Sequence, residues 1–439
     1  MKTSLLIVFL LFTVALVKNF RFLPSSMFES DQEYLALSGQ AILNGDFTLI
    51  GAPTSVGGMF IGPLYNYLVA GALWLFRGNP LSVNGLSALF VALSIPAFYL
   101  VGRLLFSHSA GVIAALVALF SYNFVNLDQV PPLLAPLPLV ILLFIGFGEN
   151  STSKTRKSLV MGLLAGLALN LHFSGVFFIP ILFISGVLSW IPLLVLLSPL
   201  FLFEARNNFV MTRNLFSFAS SSIQIGSTAG GRLQAFLAGI GDLIGIGGMT
   251  MNLVAFAFVV TALKSSSRLV KYLILTPLAF FLLYNGRLLP YYAIIAWVAV
   301  MLFIGELGSR LWANGRMMRI ALITVFVMFS IDHSMRWFNR RVSHGLDQKL
   351  AALRFIKEQS GNQPIYLSRT IEVGRDFGFE YLSPYVGINH SGDLSDPNYT
   401  IVIPARWKEI VPDREFGNIG VVLPKRGSNE QEAGSNEKE

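Results

Sequence analysis

Nine apolar runs dominate this chain, at residues 4–20, 82–106, 110–127, 131–148, 159–203, 247–263, 272–284, 288–305 and 320–331. They leave few folds open. In hydrocarbon every backbone N–H and C=O must be satisfied within the segment, so an apolar run that crosses a membrane does so as a helix. A helix needs about 20 residues to cross, and fewer where the bilayer thins. Run 159–203 is too long for one or two helices and is best cut into three, near His172 and near Trp190. Only 13% of the 439 residues are charged, about half of the ~25% usual in a soluble domain. That excludes a cytosolic globule, a disordered chain and, despite the net charge of +8, a nucleic-acid binder. Before His333 there are 18 Lys/Arg and 10 Asp/Glu, and from His333 onward 14 of each within 107 residues. Residues 1–338 therefore read as a mainly α, polytopic membrane domain, 339–425 as a small soluble α/β module, and 426–439 as a disordered polar tail.

Three compact basic loops set the expected topology: Lys154/Arg156/Lys157, Lys264/Arg268/Lys271 and Arg310/Arg316/Arg319. Cytoplasmic loops carry the excess of Lys and Arg. If the short apolar segment 62–76 spans, all three loops fall opposite Lys2; if it lies along the outer surface, all three join Lys2. The second arrangement is taken, with two crossings between Leu159 and Trp190. About eleven spans result, with a cytoplasmic N-terminus and an extracytoplasmic C-terminal module. Residues 1–17 resemble a signal peptide, but Ala15-Leu16-Val17 before Lys18 is a poor cleavage site, so the first run reads as an uncleaved span. Two outer loops follow, 21–81 and 205–246, with short outward loops near Asp128, His172 and Arg287.

The unusual polar residues collect on that outer side. Glu29, Asp31 and Glu33 stand within five residues beside a membrane span. Ser30 with Glu33 fits a capping box, and an acid in the first turn suits the helix dipole; capping does not explain the whole cluster. Ionisable groups at membrane depth are costly and usually functional. A carboxylate able to take a hydroxyl proton, with arginines such as Arg206 and Arg287 able to hold a phosphate, is what group transfer from a lipid phosphate requires. Tyr291 and Tyr292 stand just inside a span. Glu204 and Arg206, two apart at a span end, do not face each other on a helix. There is no cysteine, so disulfides, thiolate metal sites and Cys nucleophiles are excluded. The five scattered histidines show no zinc spacing; carboxylates near a phosphate invite a divalent cation, although no ligand spacing demands one. No P-loop and no Gly-x-Ser-x-Gly elbow occurs.

An ordered set of segments resembles the GT-C superfamily of membrane glycosyltransferases, in the bacterial and archaeal branch related to protein O-mannosyltransferases and aminoarabinose transferases. Phe28-Glu29-Ser30-Asp31-Gln32-Glu33-Tyr34-Leu35 is similar to that branch's Gly-Asp-Gln helix. Ile50-Gly51-Ala52-Pro53 and Gly57-Gly58-Met59-Phe60-Ile61-Gly62-Pro63-Leu64-Tyr65 follow as in the family. Leu169-Asn170-Leu171-His172-Phe173, Phe203-Glu204-Ala205-Arg206-Asn207-Asn208-Phe209 and Arg287…Pro290-Tyr291-Tyr292 resemble three later elements. The chain departs from the family at Leu127-Asp128-Gln129-Val130, where Trp-Asn-Pro-Asn is frequent, and at Asn207, where His is.

The resemblance implies a sugar donor carried on a polyprenyl phosphate, an outward site roofed by loops, and Asp31 as base on the acceptor hydroxyl. Arg287, Arg206 and Tyr292 are then expected at the donor phosphate. Gln32, Glu33, Tyr65, Asp128, His172, Glu204 and Tyr291 are expected either against the substrates or directly behind the residues that touch them. The sugar inverts in a single displacement, and the acceptor is a protein, a lipid or a glycan. The alternative is a lipid-linked sugar flippase or secondary transporter. Against it, no internal repeat is found, and the polar residues sit in outer loops rather than at mid-span.

Overall fold

The computed structural model describes residues 2–54, 57–125, 132–220, 228–244, 249–283, 290–340, 342, 344–371, 377–407 and 410–424. Among the described residues six helices are long and apolar enough to cross a membrane: Thr3–Phe20, Leu81–Leu105, Pro132–Asn150, Val187–Arg206, Ile294–Ala313 and Arg316–Phe338. Leu81–Leu105, Pro132–Asn150 and Ile294–Ala313 lie mostly inside the bundle, while the other three present most of their apolar surface outward. Shorter apolar helices complete the membrane domain, among them His108–Phe120, Phe173–Ser185 and Leu253–Ala262. Small residues let backbones meet, as is usual where lipid offers no hydrophobic drive to association. A Cβ at Gly102 would lie 2.9 Å from Gly111 Cα, and one at Gly305 2.4 Å from Ala110 O.

The long run 159–203 breaks where expected. Helix Lys154–Leu171 ends with His172 as its C-cap, 3-10 turns cover Phe173–Phe178 and Val187–Ser189, and the next long helix starts at Trp190. Gly186 (φ 102°) supplies the left-handed backbone at the second break. Segment 62–76 forms helix Leu64–Leu75 of 12 residues, about 18 Å long and well short of the ~30 Å hydrocarbon core.

One end of the bundle gathers the basic loops. Arg103 Nη1 donates to Ser4 Oγ at 2.6 Å, and the hydroxyls of Ser107 and Ser109 bond Ser309 Oγ at 2.6 and 2.8 Å. Glu149 Oε1 accepts from Ser267 Oγ (2.8 Å) and Leu269 N (3.1 Å). The buried Glu306 accepts from Ser265 Oγ (2.5 Å) and Ser266 N (3.0 Å) and pairs with Arg310. These bonds tie the N-terminal segment and all three basic loops to the same face.

At the other end stands the C-terminal module. Helix Leu346–Ser360 packs on a four-stranded sheet of β1 (Tyr366–Ile371), β2 (Asn398–Ile403), β3 (Arg414–Phe416) and β4 (Ile419–Val422), in the order β1-β2-β4-β3. Strands β1 and β2 are parallel, with Tyr366 opposite Asn398; the other pairs are antiparallel. Helix Phe379–Val386 completes the module, which is α/β as expected. The tail 426–439 lies outside the described residues.

Candidate functional site

The site is built from the first outer loop upward. Helix Ser30–Leu43 begins with a capping box one residue earlier than the sequence suggested. Glu29 is the N-cap, and its backbone N donates to Gln32 Oε1 at 3.1 Å. Ser30 and Glu33 do not form the box, because Glu33 is engaged elsewhere: its Oε1 accepts from Glu380 N (2.8 Å) and Tyr381 N (3.2 Å), at the start of helix Phe379–Val386. Glu29 Oε1 is 2.8 Å from Lys349 Nζ and 3.4 Å from His344 Nε2. Gln32 and Glu33 are buried.

Asp31 differs from all of these. It is exposed, and among the described residues its carboxylate has no hydrogen-bond or ion-pair partner. Protein nevertheless crowds the carboxyl group, and this partial desolvation pushes its pKa above the ordinary 3.8.

Residues 51–54 and 57–61 run antiparallel, with Pro53 opposite Phe60. Gly51 N donates to Ile61 O (2.8 Å), Ile61 N to Ala52 O (3.1 Å) and Thr54 N to Met59 O (2.8 Å). This antiparallel pair meets the ends of two spanning helices. Gly62 lies against Asn170, where a Cβ would come within 1.8 Å of Oδ1, and the Phe60 ring packs on Phe203 at 5.9 Å. Asn214 Nδ2 donates to Gly58 O at 3.4 Å. Behind this pair, Asn66 Nδ2 donates to Ser38 Oγ (2.7 Å) and Tyr34 Oη (3.4 Å), which joins helix Leu64–Leu75 to the Asp31 helix. Tyr65 is fully buried with its hydroxyl 2.9 Å from Ser87 Oγ, so it serves packing rather than an open site.

The remaining expected residues divide clearly. His172 Nδ1 accepts from Ser174 N (3.2 Å) and bonds Ser174 Oγ (2.8 Å), and its ring stands 5.9 Å from that of Tyr292. Burial lowers its pKa to about 4. The imidazole is therefore neutral near pH 7, with Nδ1 as acceptor and Nε2 carrying the proton. Glu204 does not pair with Arg206. Its carboxylate caps the next helix, Val210–Ser220, accepting from Met211 N (2.7 Å), Thr212 N (2.9 Å) and Thr212 Oγ1 (2.5 Å). Arg206 is exposed, with no ion-pair partner among the described residues. Asp128, Arg287 and the side chain of Tyr291 lie outside the described residues. No group of three or more metal-ligating side chains occurs among the described residues.

Sequence reasoning missed Lys349. The signal was present: a lysine on the apolar face of a helix otherwise lined by Leu346, Leu350, Leu353 and Ile356.

The family model for dolichyl-phosphate-mannose-protein mannosyltransferases matches residues 61–204. The structure is similar to that of ArnT from Cupriavidus metallidurans bound to undecaprenyl phosphate, with TM-score 0.63, 14% identity, and 94% of this chain and 97% of that one covered. It is also similar to the oligosaccharyltransferase AglB from Archaeoglobus fulgidus in complex with an inhibitory peptide and a dolichol-phosphate, with TM-score 0.53, 12% identity, and 92% and 69% covered. No curated protein matches the sequence. The fold is like that of these two proteins.

Proposed function

We propose that this chain is a GT-C-type glycosyltransferase that moves a sugar from a polyprenyl-phosphate carrier to an acceptor hydroxyl at the extracytoplasmic face of the membrane. The family-model match and the fold support the reaction class and the lipid-linked donor. One observation carries the role of Asp31. In a turn where Glu29, Gln32 and Glu33 are all engaged, it keeps an exposed, unpartnered carboxylate among the described residues.

In the proposed single displacement the acceptor oxygen attacks the anomeric carbon and gives its proton to Asp31. The bond from that carbon to the phosphate oxygen breaks, the polyprenyl phosphate leaves with the electron pair, and the sugar inverts. Arg206 and Arg287 take up the negative charge of the departing phosphate, with Tyr292 beside them and neutral His172 as a donor. Gln32 and Glu33 hold the Asp31 turn, Glu204 fixes the segment after Arg206, Tyr65 supports the first-loop helix from behind, and Asp128 and Tyr291 are assigned to the substrate surroundings by the resemblance alone. A base of raised pKa has to be ionised to act, so turnover falls as pH drops through a value above 3.8.

The clustering of the basic loops with the N-terminal segment supports a cytoplasmic N-terminus. Direct bonding of the module to the first outer loop requires both to be on one side, which supports an extracytoplasmic module. The acceptor class is a protein, a lipid or a glycan.

The test is release of undecaprenyl phosphate by the reconstituted chain from a panel of its mannosyl, glucosyl and 4-amino-arabinosyl esters. Asp31→Asn is expected to lose about 10²–10⁴-fold in kcat. Wild-type turnover in that variant rules Asp31 out as base, and transport of intact donor without phosphate release favours the flippase reading.

A further inference from the structure

Lys349 has no exposed side-chain surface, yet it is an ammonium group. Burial of such a charge is tolerated only with close, directed partners. It has three: Phe28 O (2.7 Å), Phe377 O (2.7 Å) and Glu29 Oε1 (2.8 Å). Two of these belong to the first outer loop, more than 300 residues earlier in the chain. Leu346 N donates to Ser26 O at 2.9 Å, and Tyr381 Oη donates to Gly78 O at 2.7 Å. Gly378 (φ 98°) brings the backbone against Phe28 O, where any Cβ would come within 2.6 Å.

The placement of these bonds matters more than their number. Glu29 and Glu33 stand two residues before and two after Asp31, and both are held by the module. Residues two apart on a helix point to opposite sides. The module therefore grips the back of the first turn, and Asp31 is left on the free side. Lys349 and the N-terminus of helix Phe379–Val386 also counter the charge of two of the three clustered acids, so that only Asp31 lacks a partner in the described structure.

We infer that the C-terminal module is a positioning element for the reaction. Lys349, through Glu29 and together with the Glu33 contact, fixes the first turn of helix Ser30–Leu43 and so the aim of Asp31. This rests on Asp31 being the base.

The test uses the full-length chain in liposomes, the best donor of the panel above, and carrier titration to count binding-competent molecules. Lys349→Met is expected to lower kcat per competent molecule at least tenfold while KM for the donor moves less than twofold. Glu33→Gln, which keeps the acceptor oxygen, is expected to retain at least fivefold more turnover than Glu33→Leu. A Lys349→Met kcat within twofold of wild type overturns the proposal, as does a raised KM at unchanged kcat. Should Lys349→Met fail to fold, the Glu33 pair decides: equal turnover in its two members is the overturning result. Hydrogen exchange at the Gln32 to Tyr34 amides is expected to rise at least tenfold in Lys349→Met, and no change there sinks the idea without reference to turnover. Asp31→Asn is measured alongside. An inactive Asp31→Asn with a normal Lys349→Met rejects positioning and keeps the base, whereas an active Asp31→Asn rejects the base itself.

Discussion

Removing the Glu204 carboxylate is the perturbation whose cost follows most directly from the geometry. The chain leaves the span ending at Arg206 and turns into helix Val210–Ser220 through Asn208 (φ 53°) and Phe209 (φ 57°), both in left-handed backbone. Each such non-glycine residue costs about 1–2 kcal/mol. The turn persists because Glu204 accepts three hydrogen bonds across it, from Met211 N, Thr212 N and Thr212 Oγ1. Bonds to a charged acceptor contribute about 1.5–3 kcal/mol each, less where water can replace them. Glu204→Ala deletes all three and leaves the strain. The expected loss is about 2–4 kcal/mol in the local closing of this turn, which corresponds to exchange roughly 30- to 1000-fold faster at the Met211 and Thr212 amides. Hydrogen exchange in nanodiscs reads this directly. Thr212→Val, which loses one bond, is expected to cost about 1 kcal/mol. Phe209→Gly is expected to act in the opposite sense, stabilising the turn by up to about 1 kcal/mol, because glycine adopts positive φ without strain. Exchange in Glu204→Ala within threefold of wild type, or faster exchange in Phe209→Gly, would refute the reasoning.

Other outcomes are expected. His172 has a folded pKa near 4 against an ordinary 6.5, so its stabilisation is complete above pH 6.5 and is lost as pH falls toward 4; thermal melts across this window should drop, and His172→Asn should flatten them. Gly62→Ala puts a Cβ into Asn170, whose Nδ2 is held by Gly166 O and Leu196 O, so a loss of about 1–3 kcal/mol is expected and is seen as a lower Tm in detergent. The absence of cysteine allows single-thiol mapping: in intact cells an impermeant maleimide should label Ser395→Cys and spare Thr152→Cys, and the reverse pattern inverts the proposed orientation.

The membrane domain was legible because hydrocarbon permits so little. Apolar runs had to be helices, and the breaks at His172 and before Trp190 followed from a run too long for its helices. Helix Leu64–Leu75 was visible through the charge of distant loops rather than through its own residues. The site was legible as a set of segments, not as a set of bonds. Ser30 and Glu33 satisfy the local capping rule, but tertiary contact with Glu380 and Tyr381 outcompetes it, and the cap moves to Glu29 and Gln32. The cap made by Glu204 was not legible, because the helix it caps begins beyond a turn that no local pattern announces. Tyr65, expected at the substrates or directly behind them, is fully buried and bonds Ser87.

The union of Glu29 with Lys349 spans 320 positions in the chain, and it has a bearing on biogenesis. A ribosome delivers the acidic turn long before Lys349, which emerges only after the last of the six long apolar helices described above. Until then the turn has no fastening from the far end of the polypeptide. If Asp31 is the base proposed above, chains not yet extended through Lys349 carry it without the brace that aims it.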